Sequence, residues 1–191
     1  MLGIPGEAEN VGRGVSYCAV CDGAFFRDQE VAVIGGGNSA LEEALYLTQF
    51  AKKVTIVIRR DVFRAEAHVQ QQVEQNERIT IIRRHVPKQI LDDGNRVIGL
   101  VIEDVESKET TTLTVAGVFP YVGADPAVSF LNGLDICDER GYLLVDEHNE
   151  TKIKGIYGVG DVVAKPLRQV VTAAGDGANA AQHAFHAIKG I

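Results

Sequence analysis

The stretch "EVAVIGGGNSALEEALYLTQFAKKVTIVIRR", residues 30–60, decides the fold. "VAVI" is a short apolar run of the kind that forms a parallel strand buried on both faces. Gly35, Gly36 and Gly37 end it. A helix is expected to follow, with Ala40, Leu41, Ala44, Leu45 and Leu47 on or near one face. "VTIVI", residues 54–58, reads as the second strand. The whole takes about the 30 residues that a strand–helix–strand crossover needs, and it implies an α/β fold with a parallel sheet.

The turn between strand and helix fits G-x-G-x-x-A on Gly35, Gly37 and Ala40. The first glycine permits the tight turn, the second lets the backbone approach a pyrophosphate, and the small third residue lets helix and strand pack closely. The phosphates would rest on amides at the helix N-terminus. Candidate dinucleotide contacts are therefore Gly35, Gly36, Gly37, Asn38, Ser39 and Ala40. A tight turn with no ligand can carry the same letters, but the strand before and the helix after supply the required context. The end of the second strand selects the dinucleotide. A carboxylate there would bond a ribose 2′-hydroxyl. This chain has Arg59 and Arg60, then Arg64. Guanidinium groups bind phosphate bidentately, so the expected cofactor is NADPH rather than NADH. The alternative is a solvated basic turn in which Arg64 only starts the next helix.

Downstream, "AEAHVQQQVEQN" reads as a polar helix. "ITIIRR", "HVPKQILDD", "RVIGLVIEDVE" and "TTTLTVAGVFPYVG" read as strands. Together they predict a parallel core with an antiparallel strand set beside it. Gly123, Asp125 and Pro126 break the pattern and place a boundary between a first domain, 1–125, and a second, 126–191. In the second, "GIYGVGD" reads as a buried strand ending in a turn with Asp161 at its tip, and the alanine- and glycine-rich segment after "LRQVV" reads as a helix.

Composition narrows the function. A net charge of -7 argues against a nucleic-acid binder. No apolar run reaches the roughly 18 residues of a membrane span, and no signal-peptide pattern is visible at "MLGIPGEAEN". Three cysteines are too few and too odd in number for a disulfide framework, and in a cytosolic setting a close pair points to catalysis or metal binding. That pair lies in "SYCAVCDGAFF", residues 16–26. It can be a redox couple, half of a zinc site or two inert thiols. Zinc wants four ligands, and Cys137, His183 and His186 stand far along the chain.

"GRGVSYCAVCDGAFFRDQEVAVIGGGNSALEEALYL", "RRDVFRA" and "GVGDVVAKPLRQVVTAAGDGANAA" together resemble the bacterial-type, low-molecular-weight thioredoxin reductases, in order and spacing and along essentially the entire chain. The resemblance implies a Rossmann-like NADPH-binding domain followed by the C-terminal piece of an FAD-binding domain. It implies hydride passage from NADPH to FAD, then to a disulfide and on to thioredoxin, in a cytoplasmic homodimer. Cys18 and Cys21 would form that disulfide, with Cys21 facing the flavin and Cys18 attacking the partner. Asp22 would be the general acid, and a carboxyl group held among "AFF" suits proton donation near neutrality. Glu42 matches a family residue near the nicotinamide. Asp161, Arg168, Gln169 and Val170 match flavin-contacting positions.

The sequence departs from the family in three places. Val170 replaces an alanine, and Ile58 stands where many relatives have histidine before the arginine pair. The third is a segment: the family opens its FAD domain with its own glycine-rich strand and loop, and only one such fingerprint occurs in these 191 residues. The expectation is that the chain corresponds to the later part of a reductase and that residues 126–191 lack partner strands, leaving open edges and an exposed apolar face. Two other functional readings are an NADPH-binding module without turnover and the reductase part of a peroxiredoxin-reducing flavoprotein.

Overall fold

The structure, a computed structural model, describes residues 1–123, 126–131 and 133–190. The predicted break at Asp125 lies outside them. Two compact units are present, Met1–Gly123 and Ala124–Ile191.

The first unit has three layers. Its middle layer is a four-stranded parallel sheet of β1 (Glu30–Ile34), β2 (Lys53–Val57), β3 (Ile79–Ile82) and β7 (Gly117–Pro120), in the order β3-β2-β1-β7. A three-stranded antiparallel sheet, β4 (His85–Asp92), β5 (Val97–Asp104) and β6 (Thr110–Leu113), forms a second layer. The third holds α2 (Asn38–Leu47) and α3 (Ala67–Glu74), and the short α1 (Ala19–Asp22) precedes the sheet in the chain. Successive strand residues point to opposite faces, and the burial follows. Val31, Val33, Val54 and Ile56 pack with the helices through Leu41, Leu47 and Val69. Ala32, Ile34 and Val57 pack with Ile90, Leu100 and Ile102 of the antiparallel sheet. Covering on both faces explains why the parallel strands read as unbroken apolar runs.

The mixed architecture expected from the sequence is present, with one correction. "TTTLTVAGVFPYVG" is not one strand. Thr110–Leu113 pairs antiparallel with β5, whereas Gly117–Pro120 pairs parallel with β1. The chain crosses between layers at residues 114–116, because one strand cannot pair with sheets in two layers. Gly117 is required at the crossing: a Cβ there would stand 2.5 Å from the Phe26 ring, which meets Phe119 edge-to-face at 5.2 Å.

The second unit needs a larger correction. "GIYGVGD" is not a buried strand: only Gly158 of it is buried, and its one pairing is the single bridge Glu150↔Tyr157. Asp161 stands exposed in the 3-10 turn Gly160–Val162. An apolar run becomes a strand only beside a neighbour with a matching ladder, and three glycines in seven residues weaken it further. The other described bridges of this unit, Cys137↔Leu143 and Leu143↔Val163, are equally isolated. The predicted helix is present as α4 (Val170–Lys189), closed by Gly190 at φ 68°, the left-handed conformation glycine adopts without strain. Val170, Val171, Phe185 and Ile188 on it are exposed.

What ties the 160–165 turn to α4 is Asp176. Its carboxylate pairs with the Lys165 ammonium and accepts the Gly160 amide at 2.9 Å. The Lys165 contact, with the Gly160 amide, holds the carboxyl below the usual aspartate range against the opposing effect of burial. A pKa depressed on folding contributes stability above the unfolded value, near 3.8, and loses it as pH falls through the folded value. Thermal unfolding of the wild type should therefore lose stability below about pH 4. Asp176→Asn should be less stable at pH 6 and show a shallower acid slope, and superimposable Tm–pH curves would remove this role.

Candidate functional site

Cys18 and Cys21 are joined in a disulfide, their Cα atoms 5.2 Å apart. Cys18 is the N-cap of α1, and its Sγ accepts the Cys21 amide at 3.1 Å. Cys21 is exposed and Cys18 half-buried. Two side chains absent from the sequence reading hold this turn. The Ser16 hydroxyl donates to Asp22 Oδ2 at 2.6 Å, and Ser16 Oγ accepts the Cys18 amide at 3.2 Å. The Tyr121 hydroxyl accepts the Ala19 amide at 2.8 Å. Burial, with Glu43 and Asp22 nearby, pushes the Tyr121 phenol up to about 12, so it stays neutral. Asp22 is half-buried; of the neighbouring "AFF", Phe26 is buried while Ala24 and Phe25 are exposed.

On the same unit, a cavity of about 380 Å³ opens at the C-terminal ends of all four parallel strands. It is lined by Gly35 and Gly36 after β1, Arg59 and Arg60 after β2, His85 after β3 and Tyr121 after β7, with Arg64 beside them. Open α/β sheets hold ligands at this edge. The glycine turn fits its expected part. Gly35 has φ 143°, and a Cβ on it would lie 2.3 Å from the Tyr121 carbonyl oxygen. Gly37 has open space where a Cβ would stand, which is the clearance a pyrophosphate requires. Ala40 is buried, its Cβ 3.1 Å from where a Gly35 Cβ would be, so a larger residue there would push helix from strand.

The remaining predicted residues divide. Asn38 spends its side chain on Glu66: Oδ1 accepts the Glu66 amide at 2.7 Å and Nδ2 donates to Oε1 at 3.2 Å. It pins the helix start to the arginine loop, and what it offers a ligand is its amide. Ser39 is exposed at the first turn of α2. Arg59, Arg60 and Arg64 are all exposed and all line the cavity. Glu42 is an exposed carboxylate on α2. Its neighbour Glu43, not predicted, is raised in pKa by burial and by Glu42, and its Oε2 is buried without a hydrogen-bond partner among the described residues.

In the second unit the four predicted residues gather at the start of α4. Arg168 Nε donates to the Asp161 carbonyl at 3.2 Å, with the guanidinium 4.1 Å from the Tyr142 ring centroid. Gln169 is the N-cap, its amide donating to Thr172 Oγ1 at 3.2 Å, and Val170 follows, 87% exposed. Such a turn can offer amides and an apolar surface to a flavin. Among the described residues no group of His, Cys, Asp and Glu is gathered as a metal site, and no helix is long and apolar enough to cross a membrane.

The cavity at the ligand edge of the parallel sheet and the C-x-x-C disulfide thus lie on one Rossmann-like unit. Residues 1–177 match the family of pyridine nucleotide-disulphide oxidoreductases, and the chain belongs to that family. It is 45% identical to the thioredoxin reductase of Bacillus subtilis over 98% of this chain and 60% of that relative. It is 47% identical to that of Listeria innocua over 96% and 57%. Among solved structures, thioredoxin reductase from Streptococcus pyogenes superposes with a TM-score of 0.94 at 48% identity, covering all of this chain and 62% of that one. The chain thus spans about 60% of the curated relatives it matches.

Proposed function

We propose that this chain belongs to a thioredoxin reductase: the first unit binds NADPH, and electrons pass through FAD to the Cys18–Cys21 disulfide and on to thioredoxin. The observation that carries the reading is Tyr121. Its hydroxyl holds the Ala19 amide between the two cysteines, and it also lines the arginine cavity, so one residue touches both parts of the proposed chemistry. Arg59, Arg60 and Arg64 would hold the 2′-phosphate, and the amides after Gly37 the pyrophosphate. Cys21 would receive the electron pair, Cys18 would exchange with the partner disulfide, and Asp22 would give a proton to a leaving thiolate. Asp161, Arg168, Gln169 and Val170 would hold part of the FAD, which when bound supplies the two-electron carrier between nicotinamide and disulfide. The same reading takes the assembled enzyme as a cytoplasmic homodimer. The chain's share of its relatives' length favours a second reading for these 191 residues by themselves, an NADPH-binding module without turnover; flavin absorbance together with insulin reduction by thioredoxin separates the two.

Cofactor choice tests the first unit directly. Charge-assisted hydrogen bonds are worth about 1.5–3 kcal/mol each, so two or three to a phosphate give a preference of at least about tenfold. Calorimetric titration should show NADPH bound at least tenfold more tightly than NADH. Arg59→Ala should weaken NADPH and leave NADH nearly unchanged, and equal affinity for the two cofactors would eliminate the phosphate pocket.

A further inference from the structure

The arginine cavity contains an ionisable side chain that the glycine and arginine motifs do not include. Ile58, at the end of β2, is buried and packs against Gly36. The position beside it belongs to His85, the first residue of β4. Arg84 takes a left-handed φ of 59° and turns the chain, so that the His85 amide donates to the Ile58 carbonyl at 3.0 Å. His85 lines the same cavity as Arg59, Arg60 and Arg64. Its Nδ1 lies 2.7 Å from the Arg83 carbonyl oxygen. A carbonyl can only accept, so Nδ1 carries a proton in either charge state and the change of charge falls on Nε2.

We propose that His85 is a further ligand for the 2′-phosphate end of the dinucleotide and makes its affinity rise as pH falls. This rests on the reading of the cavity as an NADPH site. The charged groups around His85 come from several elements, including the amino terminus at Met1, which lines the same cavity. Asp104 of β5 places Oδ2 4.0 Å from Nδ1. Arg83 and Arg84 precede it, Arg84 being paired with Glu106, and Arg59, Arg60 and Arg64 share its cavity. Neutral, Nε2 is an acceptor and offers nothing to a phosphate; protonated, it becomes a donor with a positive charge. A phosphate dianion bound beside it therefore favours the protonated imidazole, and its binding is coupled to uptake of a proton.

The test is calorimetric titration of the chain with NADP⁺ and NAD⁺ from pH 5.5 to 8 at fixed ionic strength, for wild type, His85→Gln and His85→Lys. The phosphate's own second ionisation, near pH 6, is common to all three proteins, so the readout is the ratio between them. Wild type and His85→Gln should bind NADP⁺ within about twofold at pH 8, and wild type should be about tenfold tighter at pH 5.5, the effect of one charge-assisted hydrogen bond. His85→Lys, charged throughout, should keep the tight value at pH 8. NAD⁺ affinity should be the same in all three. Parallel NADP⁺ profiles for wild type and His85→Gln, with NADP⁺ still preferred over NAD⁺, would overturn the role of His85 and leave the arginine site standing. Loss of that preference in the wild type would overturn the arginine site and, with it, this proposal.

Discussion

Cys21→Ser is expected to abolish electron delivery to thioredoxin in the flavin-loaded enzyme, while NADPH still reduces the flavin. The cause is chemical before it is structural. A disulfide accepts two electrons by breaking one S–S bond, and a serine hydroxyl at the same place forms no such bond. Cys18 would remain as a lone thiol able to make a mixed disulfide with a partner but with no neighbour to resolve it. The substitution is nearly isosteric at an exposed position, and the turn keeps the Tyr121 and Ser16 bonds that hold it. The dinucleotide cavity draws its lining from the strand ends and does not include either cysteine, so NADPH affinity should be unchanged. Stopped-flow absorbance of the flavin, followed by an insulin-reduction assay with thioredoxin, separates the two half-reactions. Turnover above a small percentage of wild type in the Cys21→Ser protein would sink the assignment of this disulfide as the electron carrier.

The residues from Glu30 to Arg60 could be read directly because every local signal there agrees. Apolar runs covered on both faces, a glycine that must take φ 143° and a one-faced helix all specify one crossover unit. The arginine cluster was legible for a similar reason: charge at a strand's C-terminal end has a defined neighbour, the glycine turn, one strand away. Tyr121 and His85 were not, because their place depends on pairings between distant segments. Tyr121 follows β7, a signal visible only once β7 is separated from β6 and aligned with β1; His85 begins β4 and meets the end of β2 only through its amide on the Ile58 carbonyl. "GIYGVGD" failed in the opposite direction. Its letters suit a strand, but strand formation is decided by the neighbour, and in the second unit its single bridge to Glu150 does not make a ladder. Ser16 was missed because its role is a contact through Asp22, and a serine two residues before a cysteine carries no pattern of its own.

Asp22→Asn should slow exchange between the reduced Cys18–Cys21 pair and oxidised thioredoxin by about 10²–10⁴-fold, the usual range for loss of a general acid. Asparagine keeps the size of the side chain and an oxygen that can accept the Ser16 hydroxyl, now at 2.6 Å from Oδ2, so the turn should hold its shape. What it cannot do is release a proton to a leaving thiolate. Asp22 and Ser16 line a second cavity, of about 370 Å³, with Phe25 and Gln29. That cavity is not the arginine one, and NADPH affinity should change less than about twofold. Ser16→Ala provides the control for geometry, since it removes the hydroxyl that orients the carboxylate and leaves the acid itself. Its rate should fall by less than that of Asp22→Asn. Rapid mixing of pre-reduced enzyme with oxidised thioredoxin measures the step apart from flavin reduction. A wild-type rate in Asp22→Asn would reduce Asp22 to the residue that closes α1, its amide on the Cys18 carbonyl at 3.1 Å. A fall equal to that of Ser16→Ala would assign the effect to the orientation of the turn and not to the proton.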